Sequence, residues 1–202
     1  MEDFLWISGA LWLDAVNCEW ISGSARVAGW RDGESLQEWL RQAGARYDEA
    51  AALRDLTLEG NAVLEAAKHL RASLRTVCEA TRDGNAIPPE VVDELNSLLS
   101  RRGVISELEM SVDGPREREV IEEHRGADGA LYVLARSALR SWTKGDITRL
   151  RPCANPNCIL WFLDTSKNGT RRWCSMQLCG NRNKVSAHYE RRAKGAGEVR
   201  NK

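Results

Sequence analysis

Two cysteine-bounded stretches decide how the C-terminal end of this chain folds: CANPNC at residues 153–158 and CSMQLC at residues 174–179. Each pair of cysteines encloses four residues, and fifteen residues separate the two pairs. Two pairs joined by a short, turn-rich stretch can converge on one tetrahedral ion, and four thiolates fill every coordination position of Zn²⁺. The spacing therefore predicts one structural zinc ion, held by Cys153, Cys158, Cys174 and Cys179.

The main alternative for these cysteines is a pair of redox disulfides. Redox dithiol motifs usually place two residues between their cysteines, whereas four residues stand between them here. The acidic start of the chain, Met1-Glu2-Asp3, is unlike a secretory signal, and the apolar stretch Phe4–Leu13 is too short to span a bilayer. We therefore expect a soluble, cytoplasmic protein with no membrane contact, and a reducing compartment favours metal over disulfide.

The residues between and after the cysteine pairs predict a small fold organised by the metal. Ile159–Leu163 predicts a short strand, Lys167-Asn168-Gly169 a hairpin turn, and Thr170–Trp173 the returning strand. A helix is expected from about Cys179 to Lys194. This order is a treble-clef arrangement, in which zinc stabilises a fragment too small to build its own core.

The net charge of zero conceals an uneven distribution. Residues 140–202 hold fourteen Lys and Arg against four acidic residues, which is a net charge of +10. The preceding residues hold fifteen basic and twenty-five acidic side chains, which is a net charge of −10. This division predicts an acidic module joined to a basic module that binds a polyanion. The alternative is that the acidic half shields the basic half, in solution or in a dimer.

Basic side chains of the zinc segment are the candidates for contact with a phosphate backbone, which requires only positive charge. The predicted final helix has one apolar side and one cationic side, as a helix in a DNA groove requires. Arg171 and Arg172 alternate on the predicted strand, so only one of them can face a given partner. Arg182 could instead bond to the backbone carbonyls of the second cysteine-bounded stretch, residues 174–179. The candidate set is Lys167, Arg171, Arg172, Arg182, Lys184, His188, Arg191, Arg192 and Lys194.

The N-terminal residues are predicted to be mainly helical, because apolar side chains recur at helical spacings and glycine or proline marks the ends. The predicted helices are Glu34–Ala43, a longer one within Tyr47–Thr81 with a break at Gly60-Asn61, Glu90–Ser100 and Ala127–Trp142. Residues 104–112 and 116–124 are predicted to form a hairpin, and Arg26–Gly33 a loop. The stretch Leu5–Trp20 contains either a strand or a helix. The expected fold class is α+β and mainly helical. We expect a helical domain at residues 1–145 with a small β-hairpin, a treble-clef-like zinc finger at 149–194, and a basic tail at 195–202.

Five of the eight tryptophans lie before residue 40. They can line a ligand pocket, with Trp12 at its wall and Asp14 and Asn17 as polar anchors for a small-molecule effector. An ordinary hydrophobic core is the favoured alternative for the tryptophans. Cys18 and Cys78 lie far from the zinc ligands in sequence and are expected to be buried free thiols. We find neither a nucleophile constellation nor a phosphate-binding glycine loop in the sequence, so we do not expect an enzyme.

The C-terminal segment resembles the CGNR zinc-finger family, whose name stands here as Cys179-Gly180-Asn181-Arg182. The stretches Phe162–Ser166 and Arg171–Met176 are similar to the same family's pattern. Such fingers normally follow an ABATE domain, described for stress-induced transcription regulators. The stretch LDAVNC at residues 13–18 resembles the opening motif of that domain, although an aromatic residue often stands at Ala15 and threonine at Cys18. The resemblance implies zinc and DNA binding in a transcription regulator.

Three readings of the basic finger remain open from the sequence. The first is a regulator that binds double-stranded DNA, with an N-terminal domain that senses a signal or forms a homodimer. The second is an RNA-binding protein, which aromatic stacking platforms would favour, but Trp161, Trp173 and Tyr189 are expected to be needed for packing. The third is a protein-interaction module that binds an acidic partner.

Overall fold

A computed structural model describes residues 4–58, 62–101, 104–111, 114–121 and 126–181. The predicted basic tail and the predicted final helix beyond Asn181 lie outside these residues. The same holds for six of the candidate DNA contacts: Arg182, Lys184, His188, Arg191, Arg192 and Lys194.

The described chain is mainly helical, which confirms the predicted α+β fold class. The α-helices are α1 (Leu11–Val16), α2 (Gly33–Arg46), α3 (Ala62–Asp83), α4 (Pro89–Arg101) and α5 (Gly126–Thr143), and single 3-10 segments span Asp48–Leu53 and Asp146–Arg149. The predicted long helix within residues 47–81 is therefore a 3-10 segment followed by α3. Helix α2 begins at a capping box, in which the Asp32 carboxylate accepts from the Ser35 backbone N–H at 2.8 Å.

Three antiparallel hairpins accompany the helices in the described residues. They pair β1 (Glu19–Ser22) with β2 (Ala25–Ala28), β3 (Val104–Ser111) with β4 (Gly114–Ile121), and β5 (Leu150–Pro152) with β6 (Trp161–Leu163). The hairpin of β3 and β4 confirms the prediction. The hairpin of β1 and β2 overlaps the start of a predicted loop, because four-residue strands show too little alternation to be recognised.

The pairing of β6 differs from the predicted one. Thr170–Trp173, which the structure describes, forms a loop, and β6 pairs instead with β5, upstream of the first cysteine. The turn at residues 167–169 does form, with Gly169 at φ +63° and its N–H donating to the Ser166 carbonyl at 3.2 Å. The turn therefore closes a loop beside β6 instead of a hairpin.

Helix α1 lies at the centre of the core, and every one of its residues is buried. Trp12, Trp30 and Trp39 have no exposed surface, so these three tryptophans belong to the hydrophobic core. The same core includes Leu150, Trp161 and Leu163 from the two strands beside the zinc ligands, together with side chains of all five helices. The zinc segment thus packs directly against the helical part of the molecule.

In the part of the chain that the structure describes, no helix has both the length and the apolar composition needed to cross a membrane.

Candidate metal centre

The four cysteines converge in space as their spacing predicts. Their Sγ atoms all lie within 4.8 Å of one another. The Sγ of Cys174 is 3.8 Å from that of Cys158 and 3.6 Å from that of Cys179. Cys158 is partly exposed and the other three ligands are buried.

These separations match a tetrahedral zinc site. Four sulfurs at about 2.3 Å from one zinc ion stand about 3.8 Å apart, whereas a disulfide needs about 2.05 Å. All six cysteines of the chain are free thiols. The cluster is therefore a single zinc site in which all four positions are taken by cysteine, and the geometry agrees with zinc and not with the alternative of two disulfides.

The first knuckle, CANPNC, owes its shape to Asn155. The side-chain oxygen of Asn155 accepts from the Asn157 backbone N–H at 3.0 Å, and its backbone carbonyl accepts from the Cys158 N–H at 2.9 Å. Its amide nitrogen donates to the Sγ of Cys179 at 3.4 Å. One side chain therefore closes the first turn and orients a ligand of the second pair.

The second knuckle is closed by Ser175. Its hydroxyl accepts from the backbone N–H groups of Gln177 at 3.2 Å and of Leu178 at 3.4 Å, where a short helical turn begins. The backbone N–H of Cys174 donates to the Sγ of Cys153 at 3.4 Å. Bonds from N–H groups to sulfur favour the thiolate form that zinc requires.

The thiols of the cluster compete for protons with one another. Hydrogen bonds from Cys158 and Cys174 lower the pKa of the Cys153 thiol to about 2. The hydrogen bond with Cys153 in turn raises the pKa of Cys158 to about 12, and the pKa of Cys174 is raised by its bonds to both. A divalent cation removes this conflict, because all four sulfurs can then be ionised together.

Asp164 organises the loop between β6 and the second knuckle. Its buried carboxylate accepts from the Ser166 backbone N–H at 2.9 Å, from the Ser166 hydroxyl at 2.5 Å and from the Arg171 backbone N–H at 3.0 Å. The bonds with Ser166 and Arg171 lower the pKa of Asp164. The loop that carries Lys167 is therefore held at both ends by one carboxylate.

Arg171 points into the protein. Its guanidinium lies 4.2 Å from the centre of the Phe162 ring and donates to the carbonyls of Trp173 at 3.0 Å and Ile7 at 2.9 Å. It also donates to the carbonyl of Cys174. The predicted nucleic-acid contact of Arg171 stays a prediction, and in this structure its partly exposed guanidinium joins the second knuckle to the N-terminal segment.

Two family models cover the chain. The model of the CGNR zinc finger matches residues 149–192. The ABATE model, with the description "Putative stress-induced transcription regulator", matches residues 9–145. The chain belongs to the ABATE family. No curated protein matches it. A C-terminal CGNR zinc finger thus follows the ABATE region, and the resemblance seen in the sequence is confirmed for both parts.

Lys167 and Arg172 are the described DNA-contact candidates that face solvent in this ABATE family protein. The guanidinium of Arg172 lies 5.3 Å from the centre of the Trp173 ring, and its backbone carbonyl accepts from Ala154 N–H at 2.8 Å. Arg149 and Arg151, which are not among the residues predicted from the sequence, are also exposed beside Asp164. Their alternation around a buried Leu150 was the signal that could have identified them.

The three residues of the predicted ligand pocket lie in the interior of the ABATE region. Trp12 donates through Nε1 to the Ser141 hydroxyl at 3.0 Å. Asp14 accepts from the Ser8 backbone N–H at 3.0 Å and from the Tyr47 hydroxyl, and burial raises the pKa of its carboxyl. Asn17 bonds to the backbone of Trp161 in the zinc segment.

A separate cleft of about 410 Å³ is lined mainly by the ABATE region, with Leu163 contributed by the zinc segment. Its lining includes Tyr47, Arg140, Lys144 and Leu163, and does not include Trp12, Asp14 or Asn17. The ligand pocket stays a prediction, and the polar atoms of Asp14 and Asn17 are bonded to protein groups in this structure.

Proposed function

We propose that this protein is a transcription regulator whose CGNR zinc finger binds double-stranded DNA. The observation that carries the proposal is the membership of the chain in a family of transcription regulators, joined to a zinc finger. The net charge of +10 over residues 140–202 supports a polyanionic partner. The four thiolates leave no open coordination position, so the zinc serves the fold of the finger and we propose no catalytic role.

The described part of the proposed DNA surface is the loop that carries Lys167 and Arg172. Asp164 holds this loop at both ends, so its backbone is already ordered before DNA arrives. The ring of Trp173 supports the Arg172 guanidinium, which reduces the side-chain entropy lost when it binds a phosphate. Exposed Arg149 and Arg151 extend the positive surface.

The remaining contacts belong to the predicted helix after the second knuckle. We propose that its basic side chains enter the groove while the loop binds the flanking phosphates. They are Arg182, Lys184, His188, Arg191, Arg192 and Lys194. Arg171 contributes differently, because its guanidinium fixes the second knuckle from inside the protein.

The acidic N-terminal half has the second role in this proposal. We propose domains at residues 1–145 and 149–194 with a basic tail at 195–202, in which the first domain senses a small-molecule effector or forms a homodimer. Regulators commonly bind two DNA half-sites as two-fold dimers. We place the protein in the cytoplasm, where DNA and reduced thiols are both available.

The test is the affinity of zinc-loaded protein for random duplex DNA at several salt concentrations. Each phosphate contact contributes about 0.9 to the slope of log affinity against log salt. We expect the double variant Lys167→Gln with Arg172→Gln to lower that slope by about 1.8. The matched control is Arg26→Gln with Arg41→Gln, because it removes two exposed positive charges from the ABATE region and should leave the slope unchanged.

The outcome separates the three readings of the finger. Absence of DNA binding at low salt would contradict the proposal and favour an acidic protein partner. Tighter binding of single-stranded RNA than of duplex DNA would favour the RNA reading. An equal fall of the slope in the control with substitutions at Arg26 and Arg41 would show that net charge alone, and not the loop, determines binding.

A further inference from the structure

The zinc finger and the ABATE region share an extensive buried contact, and Asn17 lies at its centre. Asn17 is 1% exposed and follows directly after α1. Its amide nitrogen donates to the Trp161 carbonyl at 2.8 Å, and its side-chain oxygen accepts from the Trp161 N–H at 2.9 Å. One side chain thus satisfies both backbone groups of the first residue of β6.

A second bridge runs through Arg75 on α3. Its guanidinium donates to the carbonyl of Val16 at 2.8 Å and to the carbonyl of Ile159 at 3.0 Å. The Val16 carbonyl belongs to α1, and the Ile159 carbonyl lies one residue after the first knuckle. The flat guanidinium therefore holds the end of α1 and the start of the β6 segment at a fixed separation.

The N-terminal segment before α1 completes the contact from the other side. The Leu163 N–H donates to the Ser8 carbonyl at 2.8 Å, and Arg171 donates to the Ile7 carbonyl at 2.9 Å. Leu5, Ile7 and Trp20 pack against the apolar cluster that contains three of the zinc ligands. Part of the hydrophobic support of the metal centre therefore comes from residues far upstream in the chain.

We infer that Asn17 is a positioning residue for the zinc finger, and that the zinc centre and α1 order and disorder together as one cooperative unit. The bonded groups are separated by 144 residues in sequence, so they form only when both regions are folded. Loss of zinc frees β6, and the Asn17 amide then loses both of its partners in a buried site. Leaving these polar groups buried and unpaired costs free energy, so loss of zinc from the finger also destabilises the core of the ABATE region around α1.

Hydrogen exchange on the full-length wild-type protein tests this coupling directly. Zinc-loaded and zinc-stripped samples are compared under reducing conditions. We expect stripping to accelerate exchange in residues 150–180 and also in residues 11–20, on the order of tenfold, while α4 (Pro89–Arg101) exchanges as before. Acceleration confined to residues 150–180 would overturn the inference.

Two substitutions test the residues that carry the coupling. Asn17→Ala removes both bonds to Trp161, and Arg75→Lys keeps the charge but cannot bridge two carbonyls with a planar fork. We expect each variant to release zinc to a chelator on the order of tenfold faster than wild type. Asn96→Ala on the exposed face of α4 is the matched control and should release zinc at the wild-type rate.

Each outcome decides the inference. Folded Asn17→Ala and Arg75→Lys proteins with wild-type release rates would overturn it. If either variant does not fold, the hydrogen-exchange comparison on wild-type protein gives the answer by itself. Because neither readout involves DNA, failure of this inference and failure of the proposed DNA binding are distinguishable.

Discussion

The helical region and the zinc finger are built by different means. The helical region buries large side chains, and Trp12, Trp30 and Trp39 have no exposed surface. The smaller apolar cluster around the metal contains few large side chains, among them Leu160 and Phe162, beside three cysteines. In the finger, hydrogen bonds that Asn155, Ser175 and Asp164 accept and that Arg171 donates determine the path of the chain.

The difference shows that metal coordination takes the place of a large hydrophobic core in the finger. A buried core stabilises through area removed from water and tolerates the loss of one contact among many. A fragment with a small core depends on its metal bonds, and each ligand is indispensable. The contact through Asn17 attaches the finger to the larger hydrophobic core of the helical region, which stabilises the finger.

The largest effect is expected from Cys174→Ser compared with Cys78→Ser. Cys174→Ser removes a metal ligand, and structural zinc contributes about 10 kcal/mol or more of apparent binding free energy in small zinc domains. Cys78 is buried in α3 and lies outside the four-cysteine cluster, so its substitution should keep one zinc per chain. Zinc content by atomic absorption is the measurement. Full zinc content in Cys174→Ser would contradict the four-cysteine site.

Trp39→Ala tests the helical region, because it removes a large side chain from the hydrophobic core. The Trp39 ring contacts Trp30 with centroids 5.1 Å apart and stacks on Trp6 at 5.3 Å. We expect the free energy of unfolding to fall by about 3–5 kcal/mol, as measured by chemical denaturation. Leu139→Ala, at a 40% exposed position on α5, should cost about 0.5 kcal/mol. Equal losses for the two variants would show that the tryptophans do not form the core described here.

Neighbouring arginines provide a smaller and sharper test. Arg171→Gln removes charged hydrogen bonds to four backbone carbonyls and should cost about 1.5–3 kcal/mol of stability, with faster zinc release. Arg172→Gln should change stability by less than about 0.5 kcal/mol and affect only DNA affinity. Thermal unfolding and chelator competition measure both. Reversal of this order would mean that the two side chains have been placed on the wrong faces.

The smallest effects concern pH, and the two regions should respond with opposite signs. Burial raises the pKa of Asp14, so its contribution to stability is present below 3.8 and is lost as the pH rises through the folded value. The pKa of Asp164 is lowered, so its contribution is present above 3.8 and disappears as the pH falls through the folded value. Asp14→Asn and Asp164→Asn should each abolish one trend. Denaturation from about pH 3 to pH 7, relative to wild type, gives the signs.

The sequence predicted best what depends on local spacing. The zinc ligands follow from cysteine separation alone, the helices α2, α4 and α5 from their apolar periodicity, and the buried state of Cys18 and Cys78 from their distance from any metal motif. Family motifs added the expected order of the two regions. These features are encoded within short segments and do not require knowledge of tertiary contacts.

Features that depend on distant partners were not predictable in this way. Three-residue strands such as β5 carry no period, so the partner of β6 could not be recognised. The inward direction of Arg171 depends on the Phe162 ring and on the Ile7 carbonyl, which lies 164 residues away. Asn17 has the appearance of a ligand anchor in sequence, and only the fold reveals its bonds to the N–H and the carbonyl of Trp161.

The two cysteines outside the metal site have a practical consequence. Cys18 and Cys78 are buried, and burial raises the pKa of each thiol, so both react poorly with alkylating reagents while the protein is folded. Native alkylation followed by mass spectrometry therefore reports on the four zinc ligands, and on Cys18 only where loss of zinc also disorders residues 11–20, while Cys78 in α3 stays protected. The number of modified cysteines per molecule would measure metal occupancy in cell extracts, without a label or a purified sample.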